Sequence, residues 1–206
     1  METKSISRRS FIGKAALTTA GVTTLGANNM FGKPGEVHES TQSKFPREVW
    51  IATVAQSGMS AETPQKMVKS ILAILEKSVS YCPDVICLPE IFMYNYLSPS
   101  MDLQKEAALS AELLKEFMAF ARTNHCYLIC PTVTHENGKI YNSAVVIDRQ
   151  GNRMGECRKM YLPDDEIALG LTPGSLQPAV FKADFGIFGI QICYDINWNT
   201  GWNFLR

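Results

Sequence analysis

The chain has 206 residues, of which 46% are apolar and 19% are charged. This balance excludes a disordered chain and is typical of one globular domain, with or without a tail. Lysine plus arginine equals aspartate plus glutamate at 20 each, so no basic face for nucleic acid is indicated. No run of about 20 unbroken apolar residues occurs, which excludes a strong membrane span.

The first 27 residues have the form of an export signal. Four basic residues and one acidic residue give this segment a net charge of +3, and a weakly apolar stretch of small residues follows its basic part. The stretch Ser7–Lys14, with its paired Arg8 and Arg9, resembles the twin-arginine signal, an address read by a receptor. We therefore expect residues 1–27 to direct export to the periplasm, with cleavage near Thr24-Leu25-Gly26. The alternative is a basic amphipathic helix at a cytosolic N-terminus.

Six cysteines raise the question of disulfides or a metal site. They are Cys82, Cys87, Cys126, Cys130, Cys157 and Cys193. They form no C-x-x-C pair, and none of the three histidines lies at zinc-finger spacing, so we expect no metal. Twin-arginine export carries folded proteins, in which thiols can survive, so disulfides are compatible with the sequence but not required.

Residues 28–46 are rich in Gly, Asn, Ser and Pro and are predicted to be a linker, and residues 47–206 form the predicted domain. Apolar periodicity and turn residues predict, in chain order, a buried strand at 49–55, a helix at 64–80, a strand at 84–90, a helix at 103–123, a strand at 126–133, a hairpin turn at 136–139, strands at 141–148 and 153–158, a polar loop, and strands near 179–185 and 187–193. The order β-α-β-α-β-β-β-β-β fits an α/β sandwich with its helices outside.

Three side chains with catalytic potential stand at the ends of predicted strands: Glu90, Lys159 and Cys193. Taken singly, such a glutamate or lysine is more often solvated, and such a cysteine is more often packed in a core. Side chains at strand ends, however, converge on the face where an α/β fold binds its ligands. We therefore expect the three to lie close together.

The segments around these residues are Leu88-Pro89-Glu90, Tyr141-Asn142-Ser143-Ala144 with Arg158-Lys159-Met160-Tyr161-Leu162, and Ile192-Cys193-Tyr194-Asp195. They resemble, in the same order, the three catalytic blocks of the nitrilase superfamily, the carbon–nitrogen hydrolases with a Glu-Lys-Cys triad. The similarity runs from about Val49 to Arg206, and Leu171-Thr172-Pro173-Gly174 resembles the family's turn after the lysine loop. The resemblance implies an αββα four-layer sandwich, a homo-oligomer, a small-molecule substrate, and hydrolysis without a metal or organic cofactor.

The resemblance also implies a role for each residue. Glu90 is expected to take a proton from Cys193, which attacks an amide or nitrile carbon and forms a thioester. Lys159 and the backbone N–H of Tyr194 are expected to stabilise the anion of the tetrahedral intermediate. The expected substrate is a small linear amide or N-carbamoyl compound, and a nitrile is the alternative.

A second glutamate follows the lysine in many members of the family, where it positions substrate or water. Glu166 matches this glutamate best, and Asp165 is the competing position. The alternative for each is a solvated acid in a loop that has no such role.

Two other hypotheses are compatible with the sequence. A Cys-His hydrolase would need His125 or His135 beside Cys193, and nothing in the sequence links them. The chain ends at Arg206, inside the helix that follows the cysteine block, so the resemblance also predicts a C-terminally truncated domain, whose extreme form is a non-catalytic fragment.

Overall fold

The structure is a computed structural model that describes residues 48–95 and 102–206. The predicted export signal at 1–27 and the predicted linker at 28–46 lie outside these described residues.

The described residues form seven strands and four helices. They are β1 (Ile51–Thr53), α1 (Pro64–Ser78), a 3-10 turn (Val79–Tyr81), β2 (Val85–Cys87), α2 (Leu103–Asn124), β3 (Tyr127–Glu136), β4 (Lys139–Ile147), β5 (Arg153–Arg158), α3 (Asp164–Ala168), β6 (Val180–Ala183), β7 (Gly186–Gly189), a second 3-10 turn (Cys193–Asn197) and α4 (Asn199–Phe204). The predicted order of strands and long helices is confirmed. No helix among these residues combines the length and hydropathy that a membrane span needs.

Five strands form one mixed sheet in the order β1-β2-β3-β4-β5. Strands β1, β2 and β3 are parallel, and β3, β4 and β5 are joined antiparallel. The β3–β4 hairpin turns at Asn137 and Gly138, which both have positive φ, as the Asn-Gly pair predicts. Strand β4 runs opposite to β3, and β5 runs opposite to β4. Strand β5 therefore runs in the same direction as β3 and β2. Residues that follow β2 and β5 therefore emerge at the same edge of the sheet.

The two faces of this sheet carry different layers. Helices α1 and α2 cover one face and enclose a core that includes Ile71, Phe117 and Leu128. On the other face, Ala144 and Val146 of β4 pack with Phe181 of the two-stranded β6–β7 ribbon. Alternate residues of a strand point to opposite faces, so the continuous apolar run of β4 supplies both cores. Among the described residues the order of layers is helix, sheet, ribbon. The α/β nitrilase-like fold is confirmed, and these residues form three of the four layers of the expected αββα sandwich.

The first strand departs from its prediction. Only Ile51–Thr53 is a strand, and Ile51 is 68% exposed rather than buried. Among the described strands β1 pairs with β2 alone, which leaves it at the edge of the sheet. An apolar, β-branched run predicts a strand but does not determine its position in the sheet.

The last predicted strand and the polar loop also differ. Strand β7 ends at Gly189, and Cys193 begins a 3-10 turn instead of ending a strand. The predicted loop contains α3, a helix whose first turn holds Asp164, Asp165 and Glu166. Acidic residues favour a helix N-terminus, but five residues are too few to show apolar periodicity.

Candidate active site

Glu90 and Lys159 meet at the common edge of the sheet. Glu90 lies three residues beyond β2, and Lys159 directly follows β5. The Nζ atom of Lys159 donates to Oε1 of Glu90 at 2.9 Å and to Oε1 of Glu166 at 2.5 Å. The Lys159 side chain is only 1% exposed, so its charge is balanced by these two carboxylates rather than by water. Asp165, the competing acid, is exposed.

Asn142 of β4 fixes both members of this pair. Its Nδ2 donates to Oε1 of Glu90 at 2.8 Å, and its backbone carbonyl accepts from the N–H of Lys159 at 2.9 Å. Two donors therefore hold the same oxygen of Glu90. A carboxylate held in this way keeps one orientation, with its second oxygen free for another contact.

Side-chain amides also hold the loop that carries Glu90. Asn95 donates to the Glu90 carbonyl at 2.7 Å and to Oε1 of Gln56 at 3.1 Å. The buried Gln56 donates in turn to the carbonyl of Phe92 at 2.8 Å. Gln56, Asn95 and Asn142 were not predicted as site residues. Their partners come from distant parts of the chain, and only Asn142 stood in a segment with a family resemblance.

Gly174 sets the position of the Lys159 backbone. Its N–H donates to the Lys159 carbonyl at 2.7 Å, and a Cβ at this position would lie 2.6 Å from the carbonyl oxygen of Arg158. Only glycine permits so close an approach of two backbones. This contact explains why a glycine closes the Leu171–Gly174 turn.

Cys193 faces the charged pair from the other side of the site. It has φ 47°, a left-handed backbone that is rare for residues other than glycine. Its thiol is exposed and lies within hydrogen-bonding reach of the Glu90 carboxylate. Partial burial and then the negative charge and hydrogen bond of Glu90 raise the pKa of the Cys193 thiol, while the charge of Lys159 lowers it. Among the described residues, the groups that mainly set this pKa are carboxylates and a lysine rather than a histidine.

The charge state of Lys159 follows from the same contacts. Burial disfavours its ammonium, but the hydrogen bonds and charges of Glu166 and Glu90 outweigh burial and raise the pKa of Lys159. The ammonium is therefore a permanent positive charge beside Cys193. The backbone N–H of Tyr194 lies in the first turn of the 3-10 segment, where such groups have no acceptor within the segment.

Two acceptor atoms of the site lack partners. Oε2 of Glu166 and Oδ1 of Asn142 are buried and have no hydrogen-bond partner among the described residues. A buried acceptor without a donor is energetically costly.

The aromatic residues in the sequence segments near Glu90 and Cys193 divide into two groups. Phe92 packs edge to face on Phe117 in the core, and Tyr94 donates to the carbonyl of Glu106 on α2. Trp198 is exposed and stacks on Tyr161 with a centroid distance of 4.7 Å. Of these three residues, Trp198 is the one on the surface.

Known proteins resemble this chain over most of its described length. Residues 51–206 match the family model described as carbon-nitrogen hydrolase. The chain belongs to the carbon–nitrogen hydrolase family. It is 25% identical to an omega-amidase of Saccharomyces cerevisiae, over 76% of this chain and 59% of that protein.

Solved structures of the family share the fold. A carbon–nitrogen hydrolase from Helicobacter pylori G27 superposes with a TM-score of 0.68 at 21% identity, over 76% of this chain and 55% of that one. An amidase mutant from Nesterenkonia sp. AN1, solved in complex with butyramide, gives a TM-score of 0.63 at 18% identity, over 73% of this chain and 57% of that one. This chain therefore spans a little over half the length of each of these family members.

Proposed function

We propose that this protein hydrolyses the carbon–nitrogen bond of a small linear amide through a thioester on Cys193. The observation that carries the proposal is the orientation of Glu90. Lys159 and Asn142 hold its Oε1, which fixes the carboxylate in one orientation within hydrogen-bonding reach of the Cys193 thiol. A fixed base beside a thiol is the arrangement that activates a cysteine nucleophile.

The first half-reaction forms the thioester. Because the pKa of Cys193 is raised, the resting thiol keeps its proton, and Glu90 takes this proton as the sulfur attacks the amide carbon. The carbonyl oxygen becomes an anion that faces the Lys159 ammonium and the Tyr194 N–H. Glu90 then protonates the nitrogen, the carbon–nitrogen bond breaks, and ammonia or an amine leaves.

The second half-reaction releases the acid. Glu90 removes a proton from water, the resulting hydroxide attacks the thioester carbon, and the carbon–sulfur bond breaks. The proton returns to Cys193, and the products are a carboxylic acid and the free enzyme. One carboxylate thus acts as base and as acid in turn.

We expect an amide rather than a nitrile as the substrate. The amidase names and the butyramide complex among the similar proteins support this choice. Glu166 binds the Lys159 ammonium at 2.5 Å, and we expect it to position substrate or water beside that cation.

The test is ammonia release from butyramide and from butyronitrile by the full-length protein. We expect release from the amide and none from Cys193→Ala. Cys82→Ala is a matched control, because Cys82 is also exposed and also has a left-handed backbone, with φ 49°. Faster turnover of the nitrile would contradict the amidase proposal, and full activity of Cys193→Ala would exclude covalent thiol catalysis.

We propose further that residues 1–27 export the protein to the periplasm and that the protein is a homo-oligomer. The paired Arg8 and Arg9 support the first proposal, and the family resemblance supports the second. Replacement of both arginines by lysine preserves charge but not receptor recognition, so it should leave the protein in the cytoplasm. Unchanged export would exclude a twin-arginine signal.

A further inference from the structure

Asp195 is a buried carboxylate two residues beyond the nucleophile. It is 0% exposed and lies in the 3-10 turn that begins at Cys193. Its Oδ1 accepts from the backbone N–H of Met160 at 3.0 Å and of Tyr161 at 2.8 Å, and its Oδ2 accepts from the N–H of Ile192 at 3.0 Å. Each oxygen therefore binds a different stretch of chain.

These two stretches flank the catalytic candidates. Met160 and Tyr161 directly follow Lys159, and Ile192 directly precedes Cys193. One carboxylate thus connects the backbone that carries the cation to the backbone that carries the thiol. The two stretches lie more than 30 positions apart along the chain, so this link depends on the tertiary fold.

Burial of this carboxylate is energetically unfavourable. Burial raises the pKa of Asp195 above its ordinary value, although the three N–H donors and the charge of Lys159 lower it. A residue that served only to fill this space would be more stable without a charge. The geometry therefore points to a function that requires two acceptor oxygens with a fixed separation.

We infer that Asp195 is a positioning residue that sets the distance between the Cys193 thiol and the Lys159 ammonium, an inference that rests on the proposed hydrolase function. The anion of the tetrahedral intermediate must meet Lys159 while its carbon is bonded to Cys193. Asp195 holds the left-handed turn at Cys193 in the one position where both contacts form. A displacement of about 1 Å in such a site costs roughly 100-fold in rate.

The substitution Asp195→Asn tests this role with almost no change in volume. An asparagine has one acceptor oxygen, so its NH₂ must face either the Ile192 N–H or the pair at Met160 and Tyr161, and that link is lost. We expect kcat to fall about 10- to 100-fold with KM changed less than about threefold. The matched control is Asp148→Asn, because Oδ1 of Asp148 also accepts two backbone N–H groups, at 2.8 Å each, in the β4–β5 turn.

A second readout separates positioning from a merely structural role and needs no substrate. Alkylation of Cys193 by iodoacetamide, followed against pH by mass spectrometry, reports the thiol pKa. A thiol displaced from Glu90 and Lys159 loses their influence, so in Asp195→Asn the midpoint should move down toward that of an ordinary cysteine. An unchanged midpoint together with kcat within about twofold of wild type would overturn the inference.

Two further outcomes remain decisive. If the wild-type chain hydrolyses no amide, the proposed function fails, while the alkylation midpoint still tests Asp195. If Asp195→Asn does not fold, amide hydrogen exchange of the wild-type chain tests whether Asp195 links the two stretches. Protection of the Met160, Tyr161 and Ile192 amides supports the link, and exchange at the rate of an open loop overturns it.

Discussion

The helix-covered sheet and the segment that runs from β6 to the end of the chain contrast sharply. In the first region, Ile71 and Phe117 are completely buried beneath α1 and α2. In the second, Ile187 of β7 is 73% exposed, and Ile196 and Trp202 are more than half exposed. The site draws on both regions, because the sheet supplies Glu90 and Lys159 while the second region supplies Cys193.

The contrast shows that the proposed base, Glu90, and the proposed nucleophile, Cys193, are held by different means. Glu90 and Lys159 are fixed by dense packing and by side-chain amides. The turn at Cys193 is held by a few specific contacts, among them the three hydrogen bonds of Asp195 and the bond from the Cys157 thiol to the Ile190 carbonyl at 3.2 Å. Loss of one such contact should therefore impair catalysis before it impairs folding.

The largest effect on activity should come from removal of either charge of the Glu90–Lys159 pair at the edge of the sheet. We expect Lys159→Met and Glu90→Gln each to lower kcat/KM for butyramide by at least about 1,000-fold, because each removes a group that acts on the transition state. The exposed Lys182 of β6 provides the matched control Lys182→Met. Far-UV circular dichroism should remain unchanged in all three variants. Near-normal turnover by Lys159→Met would show that the cation has no role in the reaction.

The next effect concerns stability and compares the two regions directly. Phe117→Ala should lower the free energy of unfolding by about 3–5 kcal/mol, because it opens a cavity in the core. Ile187→Ala should change it by less than about 0.5 kcal/mol, because its side chain is already in water. Urea titration of both variants measures the difference. Equal losses would mean that β7 is buried in solution by a contact of its own.

The smallest effect is on the thiol itself. Negative charge near a thiol disfavours the thiolate, so Glu90→Gln should lower the pKa of Cys193, and Lys159→Met should raise it. The pH dependence of Cys193 alkylation measures both shifts, with the exposed Cys82 as an internal reference for the reagent. A shift in the same direction for both variants would contradict the proposed placement of the charges.

Much of the fold was predictable because its main strands and helices repeat apolar residues with clear periods. Strand β5 was predicted with its observed bounds, and α2 differs from its prediction by one residue. The burial of β1 was predicted wrongly, because an edge strand and a central strand share a composition. The extension of the last strand to Cys193 was also wrong, since the apolar run continues past Gly189 while the chain turns.

The site was predictable only in part, for a related reason. Glu90, Lys159 and Cys193 stand out because their residue types and flanking segments resemble a family pattern, and the structure brings them together. Asn142 and Asp195 also stand within those segments, but their roles depend on which backbone or carboxylate approaches them in the folded chain. Local sequence does not contain that information.

The left-handed backbone of Cys193 has a consequence for the evolution of the protein. A side chain other than glycine in this conformation carries strain of about 1–2 kcal/mol, which glycine would relieve. Mutation to glycine would therefore favour the folded chain while it removed the proposed nucleophile. Under the proposed mechanism, selection for hydrolysis acts continuously against this drift, and descendants freed from that selection are expected to lose the cysteine early and keep the fold.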